Sequence, residues 1–125
     1  MWDGFDKRKF PRLNLHCEIT IRATQDEQPI KAMTENVGLG GICVILNQVL
    51  PRFTQCRIWL GLNEKGNSIE GAGRVVWNVP TSDSAKGKKC YDTGIEFTQL
   101  AVEDQDVLKK FLQAYLGKEG LKISL

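Results

Sequence analysis

The chain changes its hydrophobic period once, and this change limits the folds it can adopt. Over residues 15–23 apolar and polar residues alternate, a period of two that is typical of a half-buried strand. From Val107 the apolar residues recur at helical spacing, after an acidic first turn and before Gly117, where we expect the helix to end. Short strands followed by one amphipathic helix predict a small barrel with a helix packed on it.

Five further segments between these two regions are predicted to be strands. The segment at 41–46 is apolar throughout, which suits a strand covered on both faces. Polar, glycine-rich stretches separate the segments, most clearly at 80–89. We therefore predict a mainly β fold, a six-stranded antiparallel β-barrel with one C-terminal amphipathic α-helix. The predicted strands are 15–23, 30–35, 41–46, 57–62, 69–79 and 91–97.

Length and the distribution of apolar residues predict a single cytoplasmic domain. A chain of 125 residues with 42% hydrophobic residues is long enough to bury one core. No apolar run approaches the roughly 20 residues that a membrane-spanning helix needs. The first twelve residues have no apolar segment of the kind found in secretory signals, so we expect no membrane insertion.

The net charge of +2 arises at the N-terminus. Residues 13–125 are balanced, which argues against a broad basic surface for nucleic acid and favours a small anionic ligand or none. The surplus is carried by the first twelve residues, which contain Lys7, Arg8, Lys9 and Arg12 against Asp3 and Asp6.

The residues that usually support metal binding or catalysis are scarce. His16 is the only histidine, so neither a zinc site nor a Ser-His-Asp arrangement is favoured. We predict no metal, no cofactor and no enzymatic activity. The four cysteines (Cys17, Cys43, Cys56 and Cys90) are spread without a C-x-x-C pair. Three of them, Cys17, Cys43 and Cys56, lie in apolar segments and are expected to be buried free thiols.

A glycine-rich stretch, NVGLGGICV at 36–44, has two possible interpretations. It could be a phosphate-binding loop, or a turn whose backbone must approach something closely. The dinucleotide fingerprint G-x-G-x-x-G would need glycine where the chain has Cys43, and the stretch leads into a strand rather than a helix. The second interpretation is therefore favoured.

A second motif, RKFPR at 8–12, places two arginines in an extended arm. Arginine offers a planar fork of donors that fits phosphates and the O6 and N7 acceptors of guanine. Taken alone, the motif is also typical of a solvated basic tail.

Together these motifs resemble those of the PilZ domain family. RKFPR at 8–12 and NVGLGG at 36–41 are followed by GRVVW at 73–77, YDTGIEF at 91–97 and D-x-x-x-L-x-x-F-L from 104 to 112. The resemblance covers residues 7–116. It implies a six-stranded barrel with a C-terminal helix that binds the bacterial second messenger cyclic di-GMP, often as an intercalated dimer, and acts as a receptor rather than a catalyst.

The resemblance also implies which residues contact the ligand. Residues 1–12 would form an arm that folds over the ligand against a barrel domain of residues 13–125. The arginines would clasp guanine edges and phosphates, the asparagine would face a guanine, and the glycines would allow close approach of the backbone. The implied ligand-binding residues are Arg8, Arg12, Asn36, Gly38 and Gly41, with Lys9 and Gly40 as secondary candidates.

The sequence departs from the family pattern at two of these positions. Asn36 is the permitted but uncharged alternative to aspartate. Gly38 stands where the motif has serine, and a lost hydrogen bond typically costs about 0.5–1.5 kcal/mol. The backbone N–H of Gly38 or a water is available to compensate. We therefore predict that cyclic di-GMP binding is retained but weakened.

Three functional hypotheses remain open from the sequence. The first is a cyclic di-GMP receptor that relays the signal to a protein partner in motility, pilus or biofilm control. The second is a degenerate PilZ-like adaptor that mediates protein–protein interaction without ligand, as the missing serine at position 38 suggests. The third, a barrel for single-stranded nucleic acid, rests on Arg8 and Phe10 and is disfavoured by the balanced charge of the barrel. Trp77 could belong to the core, to a ligand-stacking surface or to an interface.

Overall fold

A computed structural model of the chain describes residues 12–23, 28–62, 68–81 and 89–118, with side chains as far as residue 115. All strand pairs are antiparallel, and the strands close into a barrel in the order β1-β2-β3-β6-β5-β4, so the predicted fold class is confirmed. The elements are β1 (Glu18–Arg22), β2 (Ile30–Val37), β3 (Gly41–Leu46), β4 (Gln55–Gly61), β5 (Ser68–Pro80), β6 (Tyr91–Leu100) and α1 (Val102–Lys118).

Alternate residues of the strands fill the barrel. Isoleucine, leucine and valine predominate there because branched side chains pack well on a pleated surface. The apolar strand β3 is almost wholly buried, as its sequence predicts. The residues that are less than 2% exposed include Ile21, Val37, Ile42, Val44, Leu60, Val75 and Ile95.

The segment before β1 is held against β2 and thereby places Arg12. Leu13 and Val37 exchange both backbone hydrogen bonds, at 2.9 and 3.0 Å. The buried Thr34 hydroxyl donates to the carbonyl of Leu15 at 2.6 Å and accepts the backbone N–H of Cys17 at 2.8 Å. The Thr34 side chain, rather than a backbone ladder, thus pairs the Leu15 carbonyl and the Cys17 N–H. Strand β1 begins at Glu18, later than the alternation predicts, although Leu15 and Cys17 are buried.

The helix α1 packs on the barrel through its apolar stripe. Leu108 and Leu112 are buried in the core, and Val107, Phe111 and Tyr115 lie partly buried beside them. The predicted end at Gly117 is wrong, because the helix continues to Lys118. One glycine in the last turn costs only about 1 kcal/mol, which the packing of the preceding turns offsets. Within the described ranges, no helix combines the length and the apolar character needed to cross a membrane.

Candidate ligand-binding site

Two β-bulges turn Asn36 and Trp77 to the outer face of the barrel. In β2, Thr34 pairs with Val44 and Asn36 with Cys43, so Glu35 is an extra residue. In β5, Val75 pairs with Ile95 and Trp77 with Gly94, which leaves Val76 as the extra residue. Thr34 and Val75 point into the barrel, and strict alternation would point Asn36 and Trp77 inward as well. Each bulge reverses that direction.

The two bulges bring four residues into one row across neighbouring strands. Asn36 of β2 lies opposite Cys43 of β3, Cys43 opposite Gly94 of β6, and Gly94 opposite Trp77 of β5. We call Asn36, Cys43, Gly94 and Trp77 the site row. Side chains of directly paired residues share a face of the sheet, so the row forms a continuous strip on the outside of the barrel.

Arg12 spans this strip from one end to the other. Its Nη1 donates to Oδ1 of Asn36 at 3.3 Å, and its guanidinium carbon lies 5.5 Å from the centre of the Trp77 ring. The second distance is within the range of a cation–π contact. The guanidinium therefore lies over the site row and contacts both of its ends.

Gly94 supports the Trp77 ring. A Cβ atom at position 94 would collide with three atoms of the indole, so the ring lies directly against the backbone of β6. The ring can take this position only because residue 94 lacks a side chain.

A carboxylate and a thiol complete the outer face. Oδ1 of Asp92 accepts the thiol of Cys43 at 2.7 Å and the indole Nε1–H of Trp77 at 3.5 Å. Burial, reinforced by the hydrogen bond and the charge of Asp92, raises the pKa of Cys43 to about 12, although the positive charge of Arg12 opposes the shift. The Cys43 thiol is therefore protonated at neutral pH and donates a hydrogen bond to Asp92 rather than acting as a nucleophile.

The glycine turn is held by backbone hydrogen bonds, one within the turn and one to β6. The N–H of Gly38 donates to the carbonyl of Gly41 at 2.9 Å, and the carbonyl of Gly40 accepts the N–H of Phe97 at 2.8 Å. A Cβ at Gly41 would collide with the carbonyl oxygen of Ile95. The close approach at Gly41 is thus an approach to β6. The expectation that the N–H of Gly38 is available to replace the missing hydroxyl is wrong, because Gly41 already takes it.

The structure brings some of the predicted site residues together. Arg12 and Asn36 are in contact, whereas the three glycines of the turn are engaged with one another and with β6. Asn36 belongs to the end of β2 and not to the turn that follows. Arg8 and Lys9 lie outside the described residues.

The sequence alone does not identify three of the grouped residues, Cys43, Asp92 and Gly94, and leaves Trp77 undecided. Trp77 was open between three roles, and Cys43 was interpreted only as a buried thiol. Asp92 was noted solely within YDTGIEF, where its position two residues before glycine was the available signal. The prediction that Cys17, Cys43 and Cys56 are buried free thiols is confirmed.

Two further polar groups near the strip, Arg74 and His16, already have partners. Nε of Arg74 donates to Oε2 of Glu96 at 2.9 Å, and the Glu96 side chain is only 9% exposed. His16, the one histidine, donates from Nδ1 to the carbonyl of Thr34 at 2.9 Å. No group of three potential metal ligands occurs among the residues that the structure describes.

Comparison with known proteins places this geometry in a family. The family model described as the PilZ domain matches residues 6–114. A search of curated protein sequences finds no match.

Solved structures with the same fold include three PilZ-type proteins. The Bacillus subtilis inhibitor of motility (MotI/DgrA) has 23% identity and a TM-score of 0.71, over 91% of this chain and 53% of that chain. The K. pneumonia MrkH–c-di-GMP complex has 16% identity and a TM-score of 0.77, over 92% of this chain and 54% of that chain. The PilZ domain of YcgR from Escherichia coli with c-di-GMP has 11% identity and a TM-score of 0.65, over 92% of this chain and 98% of that chain.

The chain thus spans about half the length of MotI and MrkH, at 53% and 54%. Because the family model covers most of the chain, the protein belongs to the PilZ domain family.

Proposed function

We propose that this chain is a non-catalytic receptor for cyclic di-GMP that acts in the cytoplasm and relays the signal to a protein partner. The observation that carries the proposal is the position of Arg12, held between Asn36 and Trp77 over an outer strip of the barrel. MrkH and YcgR, whose folds resemble this one, have been solved with c-di-GMP, which supports the same ligand class here.

Arg12 has the chemistry that such a ligand requires. Its planar guanidinium can donate to a phosphate or to the O6 and N7 atoms of guanine, and it can stack on a base. The 3.3 Å bond to the neutral amide oxygen of Asn36 is long, so exchanging it for shorter bonds to the anionic phosphates of a ligand is favourable. Arg8 and Lys9 of the arm are proposed to add further contacts, with the ligand bound as an intercalated dimer.

The missing hydroxyl at Gly38 is proposed to weaken binding without abolishing it. The N–H of Gly38 is occupied by Gly41, so compensation falls to a water. The cost of one neutral hydrogen bond, about 0.5–1.5 kcal/mol, corresponds to a roughly two- to twelvefold loss of affinity.

Isothermal titration of the full chain with cyclic di-GMP tests the proposal. We expect measurable binding by the natural protein and no heat for Arg12→Ala at dinucleotide concentrations up to about 100 μM. Arg57→Ala is the matched control, because Arg57 forms an exposed ion pair with Glu70 on the outer face of β4 and β5, away from the site row. Absence of heat with the natural protein would refute receptor function.

The ligand-independent adaptor remains the second candidate, and one observation favours it. Arg12 already satisfies Oδ1 of Asn36, and Gly38 is closed by its own turn, so the strip has internal partners when no ligand is bound. If Arg12→Ala leaves the cellular phenotype unchanged and the natural protein binds no dinucleotide, the adaptor is the better description.

A further inference from the structure

Asp92 places a carboxylate on the outer face beside the site row. It lies two residues before Gly94 on β6, and residues two apart on a strand point to the same side. Its orientation is fixed by two donors on neighbouring strands, Cys43 of β3 and Trp77 of β5. Neither donor carries a charge, so the negative charge of Asp92 is oriented but not neutralised by them.

Within the described ranges, half of this carboxylate has no partner. Both protein donors bind Oδ1, and no residue in the described part of the chain donates to Oδ2. An ionised carboxylate offers about four acceptor positions, so about two remain for an incoming group. The residue is partly exposed, which leaves these positions accessible.

The remaining acceptor positions of the Asp92 carboxylate match the pairing edge of guanine. The pairing edge of guanine carries two adjacent donors, N1–H and the N2 amino group, and a carboxylate can accept both at once. The pairing edge of adenine presents an acceptor at N1, which a carboxylate repels. Asn36 is uncharged, and its single amide oxygen is already bonded to Arg12.

We infer that Asp92 reads the pairing edge of a guanine of the bound dinucleotide, and so supplies the charged acceptor that Asn36 lacks. This inference rests on the proposed receptor function. Arg12 lies at the same strip, and its positive charge acts on Cys43, which is hydrogen-bonded to Asp92. A cation beside the carboxylate allows an anionic ligand to approach, with its phosphates toward Arg12 and a base toward Asp92.

A thermodynamic cycle with two ligands tests the inference. Cyclic di-IMP is cyclic di-GMP without the N2 amino groups, so it lacks one of the two donors. We expect the natural protein to bind cyclic di-GMP about tenfold more tightly than cyclic di-IMP, as for one charge-assisted hydrogen bond. In Asp92→Asn this preference should fall to about twofold or less, because the charged acceptor is gone.

The cycle separates base reading from a merely structural role. A variant that only loosens Trp77 or Arg12 weakens both dinucleotides equally and keeps the tenfold preference, and that result would overturn the inference. Loss of the preference in Asn36→Ala with its retention in Asp92→Asn would also overturn it, by assigning the base edge to Asn36. Asp106→Asn, which removes an exposed carboxylate from α1, is the charge-matched control and should behave as the natural protein. If the natural protein binds neither dinucleotide, the receptor proposal itself fails and the inference falls with it.

Discussion

Phe53 combines two properties that are rarely found together in one aromatic residue. It is the one non-glycine residue with a positive φ, 72°, among those the structure describes, and it is 62% exposed. Its backbone is fixed by β5, since its N–H donates to the carbonyl of Val75 at 2.7 Å and the N–H of Val75 donates to the carbonyl of Thr54 at 2.9 Å. The strand therefore imposes a left-handed conformation that costs an L-residue about 1–2 kcal/mol.

The strain at position 53 can be measured with two substitutions. Both Phe53→Gly and Phe53→Ala remove the ring and its contact with Arg52, but only glycine relieves the left-handed backbone. We expect Phe53→Gly to be about 1 kcal/mol more stable than Phe53→Ala. Urea denaturation measures the difference, and equal stabilities would show that the conformation carries no strain.

At the level of elements, β6 belongs both to the barrel and to the candidate site. Its outer face carries Asp92 and Gly94 of the candidate site, and its neighbour β3 contributes Cys43. Two glycines allow this arrangement in different ways: Gly41 makes room for the backbone of β6, whereas Gly94 makes room for a side chain. A methyl group at each position therefore tests a different contact.

Gly41→Ala is expected to destabilise the barrel. The added methyl would collide with the carbonyl oxygen of Ile95, a backbone atom held within the β3–β6 pairing, which cannot move without loss of that pairing. Overpacking of this kind typically costs about 1–3 kcal/mol. Thermal unfolding followed by circular dichroism measures the loss, and a midpoint equal to that of the natural protein would contradict the close approach.

Gly94→Ala is expected to change the site more than the stability. The added methyl meets the indole of Trp77, a side chain that can rotate away, and its displacement removes the ring from beneath Arg12. Tryptophan fluorescence should shift, and cyclic di-GMP affinity should fall about two- to twelvefold, as for a lost cation–π contact of about 0.5–1.5 kcal/mol. Unchanged fluorescence with unchanged affinity would show that the ring does not rest on residue 94.

The strands could be predicted from the sequence, whereas the site could be predicted only in part. Alternation identified β1 and the continuous apolar run identified β3, because burial on one or two faces dictates those patterns. The bulge in β5 is not visible in the pattern, since Val75, Val76 and Trp77 are all apolar and one extra residue leaves no mark there. The outward direction of Trp77, and hence its meeting with Arg12, depends on that extra residue.

At the scale of the whole molecule, buried thiols make the free energy of unfolding depend on pH in the alkaline range. Burial raises the pKa of Cys56 to about 11 and, together with Asp92, that of Cys43 to about 12; it also raises the pKa of Cys17, from an ordinary value of 9.0 in each case. The folded protein retains thiol protons that the unfolded chain releases. Their stabilising contribution is therefore complete below about pH 9 and is lost as the pH rises toward the folded values.

We expect the unfolding midpoint to fall more steeply above pH 9 than below it. Cys56→Ala removes one of the raised groups, so its midpoint should fall less steeply between pH 9 and 11, even though the variant starts from a lower stability. Calorimetry across this range compares how steeply the unfolding midpoint falls with pH in the two proteins. Lysine and tyrosine residues titrate in both proteins alike, so they do not affect the comparison. Parallel slopes would rule out a contribution from Cys56.

The two bulges also bear on how such a protein can change over generations. Deletion of the single codon for Val76 would leave every chemical group of the site in the chain, yet the alternation of β5 would then direct Trp77 into the barrel. Insertion of one codon at the corresponding point of a regular strand would have the opposite effect. It would turn a side chain of the barrel core to the outer face. The candidate ligand face of this barrel can therefore be gained or lost through a change of one residue in strand length, with its functional groups unchanged.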